Sequence, residues 1–86
     1  MATTIADTMY KLLLSKNRTS IWYGDIDIIE ECANLCNVKK SHPQKTITCV
    51  LNALDQSSKF KKGYIHADFN GTTRKYRCFT IINLNQ

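Results

Sequence analysis

Carboxylates are nearly missing from the second half of this 86-residue chain. Residues 39–86 hold nine lysines and arginines but only Asp55 and Asp68, a formal charge of +7; residues 1–38 hold three cations against five carboxylates, or −2. That dipolar arrangement turns the C-terminal half toward a polyanionic partner. Ordinary solubilising charge is the alternative reading. Proline occurs once and glycine three times. With no repeats, low-complexity tracts or internal linkers, residues 1–86 read as a single domain. No apolar run approaches the ~20 residues of a membrane span. The chain begins without a basic leader, and Ile5 to Leu14 is interrupted by Asp7 and Lys11, so this stretch does not read as a signal peptide. No Cys-x-x-Cys pair occurs. Four cysteines without a secretory context are expected to be reduced, mostly buried thiols in a cytoplasmic protein.

What is present suffices for a core. A hydrophobic share of 43% and eight aromatics argue for a folded globule, although a chain this short buries only about 60% of its unfolded surface. The clearest element is a helix from about Pro43 to Ser57, where Ile47, Val50, Leu51 and Leu54 fall at i, i+3, i+4 and i+7. Ser41-His42-Pro43-Gln44 reads as its start. Ser41 is expected to cap the amide of the third helical residue, and Gln44 to reach back to the amide of Ser41. Pro43 sits in the first turn, where its missing N–H costs nothing. The opposite face carries Ser41, Lys45, Thr48, Asn52 and Gln56. These side chains are cationic or able to hydrogen-bond, and none is acidic, which suits a helix laid against nucleic acid.

Around it the chain reads simply. Thr4 to Lys16 is a first helix with Thr4 and Asp7 as a capping pair, and with Ile5, Met9, Leu12 and Leu13 as its apolar stripe. Tyr10 and Leu14 widen that stripe, marking a candidate dimer surface. Thr19 to Tyr23 is a short β-prone edge strand broken by Gly24. Asp25 to Cys36 makes a second helix, acidic in its first half where the helix dipole favours negative charge. Lys59 to Gly63 reads as a basic connector in which Phe60 plugs the core. Tyr64 to Phe69 alternates with period two, Asn70-Gly71 is a hairpin signal, and Arg74 to Asn83 returns as the partner strand.

The order helix, short strand, helix, helix, hairpin resembles the winged helix-turn-helix family across nearly the whole chain, through element order and spacing rather than an invariant motif. The resemblance implies an α+β winged helix: a three-helix bundle with a short strand and a C-terminal β-hairpin wing. It also implies that Ser20-Ile21-Trp22-Tyr23 pairs near Cys78 to Ile82 as a third strand. By the same resemblance the third helix, residues 42–57, would enter the major groove and the 64–82 hairpin would be the wing. Lys45 would then reach a guanine edge or a phosphate, Asn52 or Gln44 an adenine, and Thr48 a thymine methyl. Ser41 and the first free helical amides would hold a backbone phosphate. Thr72, Thr73, Arg74, Lys75 and Arg77 of the wing would contact phosphates or the minor groove. Lys39 and Lys40, with Lys59, Lys61 and Lys62, would add backbone contacts. The expectation is a double-stranded DNA-binding transcriptional regulator, not an enzyme, completed by a homodimer or a protein partner.

The competing reading is a protein-interaction module of the same fold, for example a phage or viral effector that docks a host protein through Asp27, Glu30 and Glu31. Metal binding has a weaker basis. Cys32, Cys36 and His42 give C-x3-C-x5-H, yet Ile29 and Ala33 share the face of the two thiols, so the thiols are expected in the core. His66 and Asp68 lack a nucleophile or a Gly-rich phosphate loop beside them, and read as exposed hairpin residues. No cofactor is implied.

Overall fold

Three amphipathic stretches form helices and three β-prone stretches form one antiparallel sheet, an α+β arrangement seen in the computed structural model, which describes residues 4–82. In chain order the elements are α1 (Ile5–Ser15), β1 (Ser20–Trp22), α2 (Ile26–Leu35), α3 (Pro43–Asp55), β2 (Phe60–Phe69) and β3 (Thr72–Ile81). This is the helix–strand–helix–helix–hairpin order expected from the sequence. β3 is the central strand. β1 meets it through Ser20↔Thr80, Ile21↔Phe79 and Trp22↔Cys78, inside the stretch named for that pairing.

Local chemistry sets the helix ends. Thr4 caps α1, its Oγ1 accepting the Asp7 N–H at 3.0 Å. Asn17 and Asn37 close α1 and α2 in the left-handed region, each with φ 59°. The Arg18 N–H then reaches the Leu13 carbonyl (2.8 Å), and the Val38 N–H reaches that of Ala33 (2.9 Å). This satisfies carbonyls that would otherwise be orphaned, with Asn in the role glycine usually fills.

The start of α3 departs from expectation. Its N-cap is His42, extended at φ −106° and ψ 130°, and no side chain caps it. A proline pushes the residue before it out of helical geometry, so Pro43 fixes the boundary one residue later than a Ser41 cap requires. Ser41 and Gln44 are consequently both exposed. The turn is held instead by buried Thr46, whose Oγ1 accepts the Lys40 N–H at 2.9 Å. The helix also stops at Asp55 rather than Ser57.

The second departure is the hairpin. Lys59 to Gly63 is not a connector: the strand begins at Phe60, and the β2–β3 ladder runs from Phe60↔Ile81 to Phe69↔Thr72. Thr72 to Arg77 therefore belong to a paired strand, and only Asn70 and Gly71 make the turn. Their φ values of 57° and 84° match the type I′ geometry that suits the strand twist. Asn83, expected in the returning strand, lies outside the described residues.

One face of the sheet closes the main core. Ile21, Phe60 and Phe79 pack with Met9 and Leu13 of α1, Ile29, Cys32 and Ala33 of α2, and Ile47, Val50, Leu51 and Leu54 of α3. Phe60 does plug the core where α3 ends. Buried Tyr76 lies outside that cluster, because residues alternate between faces along β3. It packs instead among Trp22, Tyr23 and Phe69, with ring centroids 5.1–5.9 Å from its own. Trp22 thus anchors β1 across the hairpin, and its indole lies where a Cβ on Gly24 would be, so position 24 has room only for glycine. No helix among the described residues is long and apolar enough to cross a membrane.

Candidate nucleic-acid interface

β1 pairs with β3 only as far as Trp22, so β3 is left with an open edge toward the hairpin tip. The Tyr23 N–H donates to the Arg77 carbonyl (3.2 Å) and the Ile81 N–H to that of Thr19 (2.8 Å). Odd-numbered residues of β3 therefore turn their main-chain groups toward β1, and those of Lys75 and Thr73 face an edge that no strand among the described residues covers. Along this edge, between α3 and the hairpin, runs a groove of about 580 Å³. Gln44 and Thr48 line it from α3, and Tyr64, Arg74, Lys75 and Arg77 from the hairpin; Tyr23, Phe69 and Tyr76 supply its aromatic wall. Among the described residues no carboxylate lines it. A shallower hollow on the outer face of α3 is walled by Gln44, Lys45, Thr48, Cys49 and Asn52, again without an acid.

The contact residues singled out in the sequence are all exposed except Lys59 and Arg77, which are half-buried. Arg77 reaches across to α3, its Nη1 donating to Asn52 Oδ1 at 2.8 Å. A guanidinium only donates, so the Asn52 carbonyl oxygen faces the hairpin and its NH₂ faces away. Bidentate pairing of Asn52 with adenine needs that same oxygen, so the bond to Arg77 competes with the expected contact. Tyr64 stands opposite Arg77 in the ladder, and His66 opposite Lys75.

Ion pairs sort the cations. Lys16 pairs with Glu31 (3.3 Å), Arg18 with Asp25 (2.8 Å), Lys59 with Asp7 (3.7 Å) and Lys62 with Asp55 (3.6 Å). Lys59 and Lys62, expected among the phosphate contacts, are thus partly neutralised inside the fold. Among the described residues Lys39, Lys40, Lys45, Arg74, Lys75 and Arg77 have no such partner. Neither have Lys11 and Lys61, which lie away from the groove lining.

Comparison with protein-family models, curated proteins and solved structures found no match. Function must therefore be argued from the site itself.

The cysteines are all free. Cys32 sits in the core with its Sγ 3.6 Å from the Ile5 carbonyl. Burial, reinforced by Cys36 and Glu31, pushes its thiol up to about 12, far from the thiolate a metal needs. Among the described residues no three His, Cys, Asp or Glu side chains converge as a metal site. On α1, Tyr10 packs against the core beneath the Lys59 ammonium (5.6 Å from its ring centroid), whereas Leu14 stays 53% exposed. Sequence reasoning missed Leu35, 65% exposed at the end of α2 and bordering an apolar hollow with Thr8, Lys11, Leu12 and Ser15. Its place outside the Ile29–Ala33–Cys36 stripe was the available signal.

Proposed function

We propose that this chain is a winged helix-turn-helix protein that binds double-stranded DNA, with α3 in the major groove and the β2–β3 hairpin as wing, and that it acts as a small transcriptional regulator. One observation carries the reading. The cations without an ion-pair partner include every lysine and arginine of the α2–α3 turn, the exposed face of α3 and the outer half of the hairpin. They flank grooves without a carboxylate. Desolvated phosphates need such unneutralised charge, and releasing their counterions drives binding. Lys45 and Thr48 are the side chains to read bases, Ser41 and the first amides of α3 take a phosphate, and Thr72, Thr73, Arg74 and Lys75 follow the backbone along the wing.

The test is retention on duplex DNA at two salt concentrations. Lys45→Ala is expected to weaken specific binding more than non-specific binding; Arg74→Ala should weaken both and lower the salt slope by about one. If neither change alters binding at about 100 mM salt, where counterion release governs affinity, a second reading takes over. That reading is a docking module for another protein, favoured by the exposure of Leu35 and Leu14. Homodimerisation through α1 would supply the specificity that one small domain lacks. Sedimentation as a monomer at high concentration, with and without DNA, would remove it.

A further inference from the structure

The groove offers an aromatic ring that an intact duplex has no use for. Tyr64 is 58% exposed and lies outside the core cluster. Alternation along β2 turns it to the α3 side of the hairpin, directly across from Arg77. The Lys62 ammonium stands 5.9 Å from its ring centroid. The other aromatics at the groove are already engaged. Tyr76 is buried and its hydroxyl donates to the Thr72 carbonyl at 2.8 Å, while Tyr23 meets Phe69 edge-on at 5.3 Å. In paired DNA each base face is covered by its neighbours, so Tyr64 would find nothing to stack on. A base outside the stack offers a free face, and stacking on tyrosine tolerates any sequence. Nearby groups supply the remaining contacts: Lys75 and Arg77, on the same sheet face as Tyr64, for a phosphate, and Gln44 and Thr48 for a base edge. Arg74 lies on the other face, its guanidinium 5.4 Å from the Tyr76 ring centroid. A groove of about 580 Å³ lies within the range of small-ligand sites.

Resting on the nucleic-acid reading above, we propose that this groove takes one unpaired nucleotide, at a duplex end or a bulge, with its base stacked on Tyr64 and its phosphate held by Lys75 and Arg77. Three probes test it: a blunt duplex, the same duplex with a short thymidine overhang at its 3′ or 5′ end, and the single strand alone. The overhang is expected to bind about tenfold tighter than the blunt duplex, the scale of one base–aromatic stack. Tyr64→Ala should abolish that preference, bringing the overhang's affinity down to the blunt duplex's, while Tyr64→Phe, which keeps the ring, retains it. Circular dichroism checks that both variants fold. Equal binding of blunt and overhanging duplex overturns the proposal, as does a preference that survives Tyr64→Ala. The two readings fail differently. Binding of the overhang without the blunt duplex supports this proposal and overturns the duplex one, whereas no binding to any probe overturns both.

Discussion

The β2–β3 hairpin has two ends that treat positive charge in opposite ways. At its base, Lys59 and Lys62 are drawn to Asp7 and Asp55, as Lys16 and Arg18 are to Glu31 and Asp25 nearby. In its outer half, Arg74, Lys75 and Arg77 make no ion pair within 4 Å among the described residues, and neither does Lys45 on the facing helix; the one carboxylate there, Asp68, stands across from Thr73. The difference is not chiefly one of stability, because exposed pairs contribute only about 0–1 kcal/mol. It is one of location. Pairing cancels charge where the chain closes on itself and leaves it standing where the groove opens, so the +7 of the C-terminal half becomes a localised field rather than a diffuse one.

The largest expected effect sets the closed core against the open surface, and it is in the thiols. Cys32 is buried between α2 and α1, whereas Cys49 on α3 and Cys78 on β3 are partly exposed. With its pKa raised from 9.0 to about 12, Cys32 at pH 8 has a thiolate fraction on the order of 10⁻⁴. Alkylation of the native protein, followed by mass spectrometry, should modify Cys49 and Cys78 first and Cys32 slower by roughly 10²–10³-fold. The sign of the linkage follows. The neutral thiol is favoured in the fold, so this stabilisation is complete below pH 9 and is lost as pH rises toward 12, where the unfolded thiol ionises first. Equal labelling of all three at pH 8 would mean the seam between α1 and α2 opens freely.

Much of this contrast was legible before the fold, but not its boundaries. Ile47, Val50, Leu51 and Leu54 are all buried as their spacing requires, and Asn70-Gly71 makes the turn its residue types demand. The groove-facing residues of α3 could likewise be read from periodicity. The strand through Lys61, Lys62 and Gly63 could not, since three lysines around a glycine look like a loop until a ladder with β3 is known. Pairings such as Lys59–Asp7 and Arg77–Asn52 join residues far apart in the chain, and no local pattern encodes them. The cap at His42 was within reach, had the restriction on the residue before Pro43 outweighed the Ser41 signal.

A smaller effect breaks the contrast from the open side. Replacing Arg74 and Lys75 by Gln should cut duplex affinity by roughly ten- to a hundredfold at about 100 mM salt and lower the salt slope by about two. The matched control is Lys16→Gln with Lys59→Gln at the closed end. That pair should leave affinity within about twofold and destabilise the fold by no more than about 1–2 kcal/mol, two exposed pairs' worth, read by urea denaturation. If the closed-end variant loses DNA as strongly as the open-end one, net charge alone governs binding and the localisation argument fails.

The finest test concerns Arg77, where the two regions touch. Its bond to Asn52 holds the amide with the donor side outward, so in the native protein Asn52 should prefer an acceptor such as guanine O6 or N7, or a phosphate oxygen, to an adenine. Arg77→Met keeps an unbranched apolar stem and removes the donors. The freed Asn52 oxygen can then accept from adenine N6, and selection from random duplexes should gain adenine at one position by a few-fold, below the ~1–3 kcal/mol of a full bidentate pair. Asn52→Ala should erase that gain in the Arg77→Met background while changing little alone. An unchanged base preference in Arg77→Met would show that Arg77 braces the hairpin against α3 without orienting a reader, and would move base reading to Lys45 and Thr48.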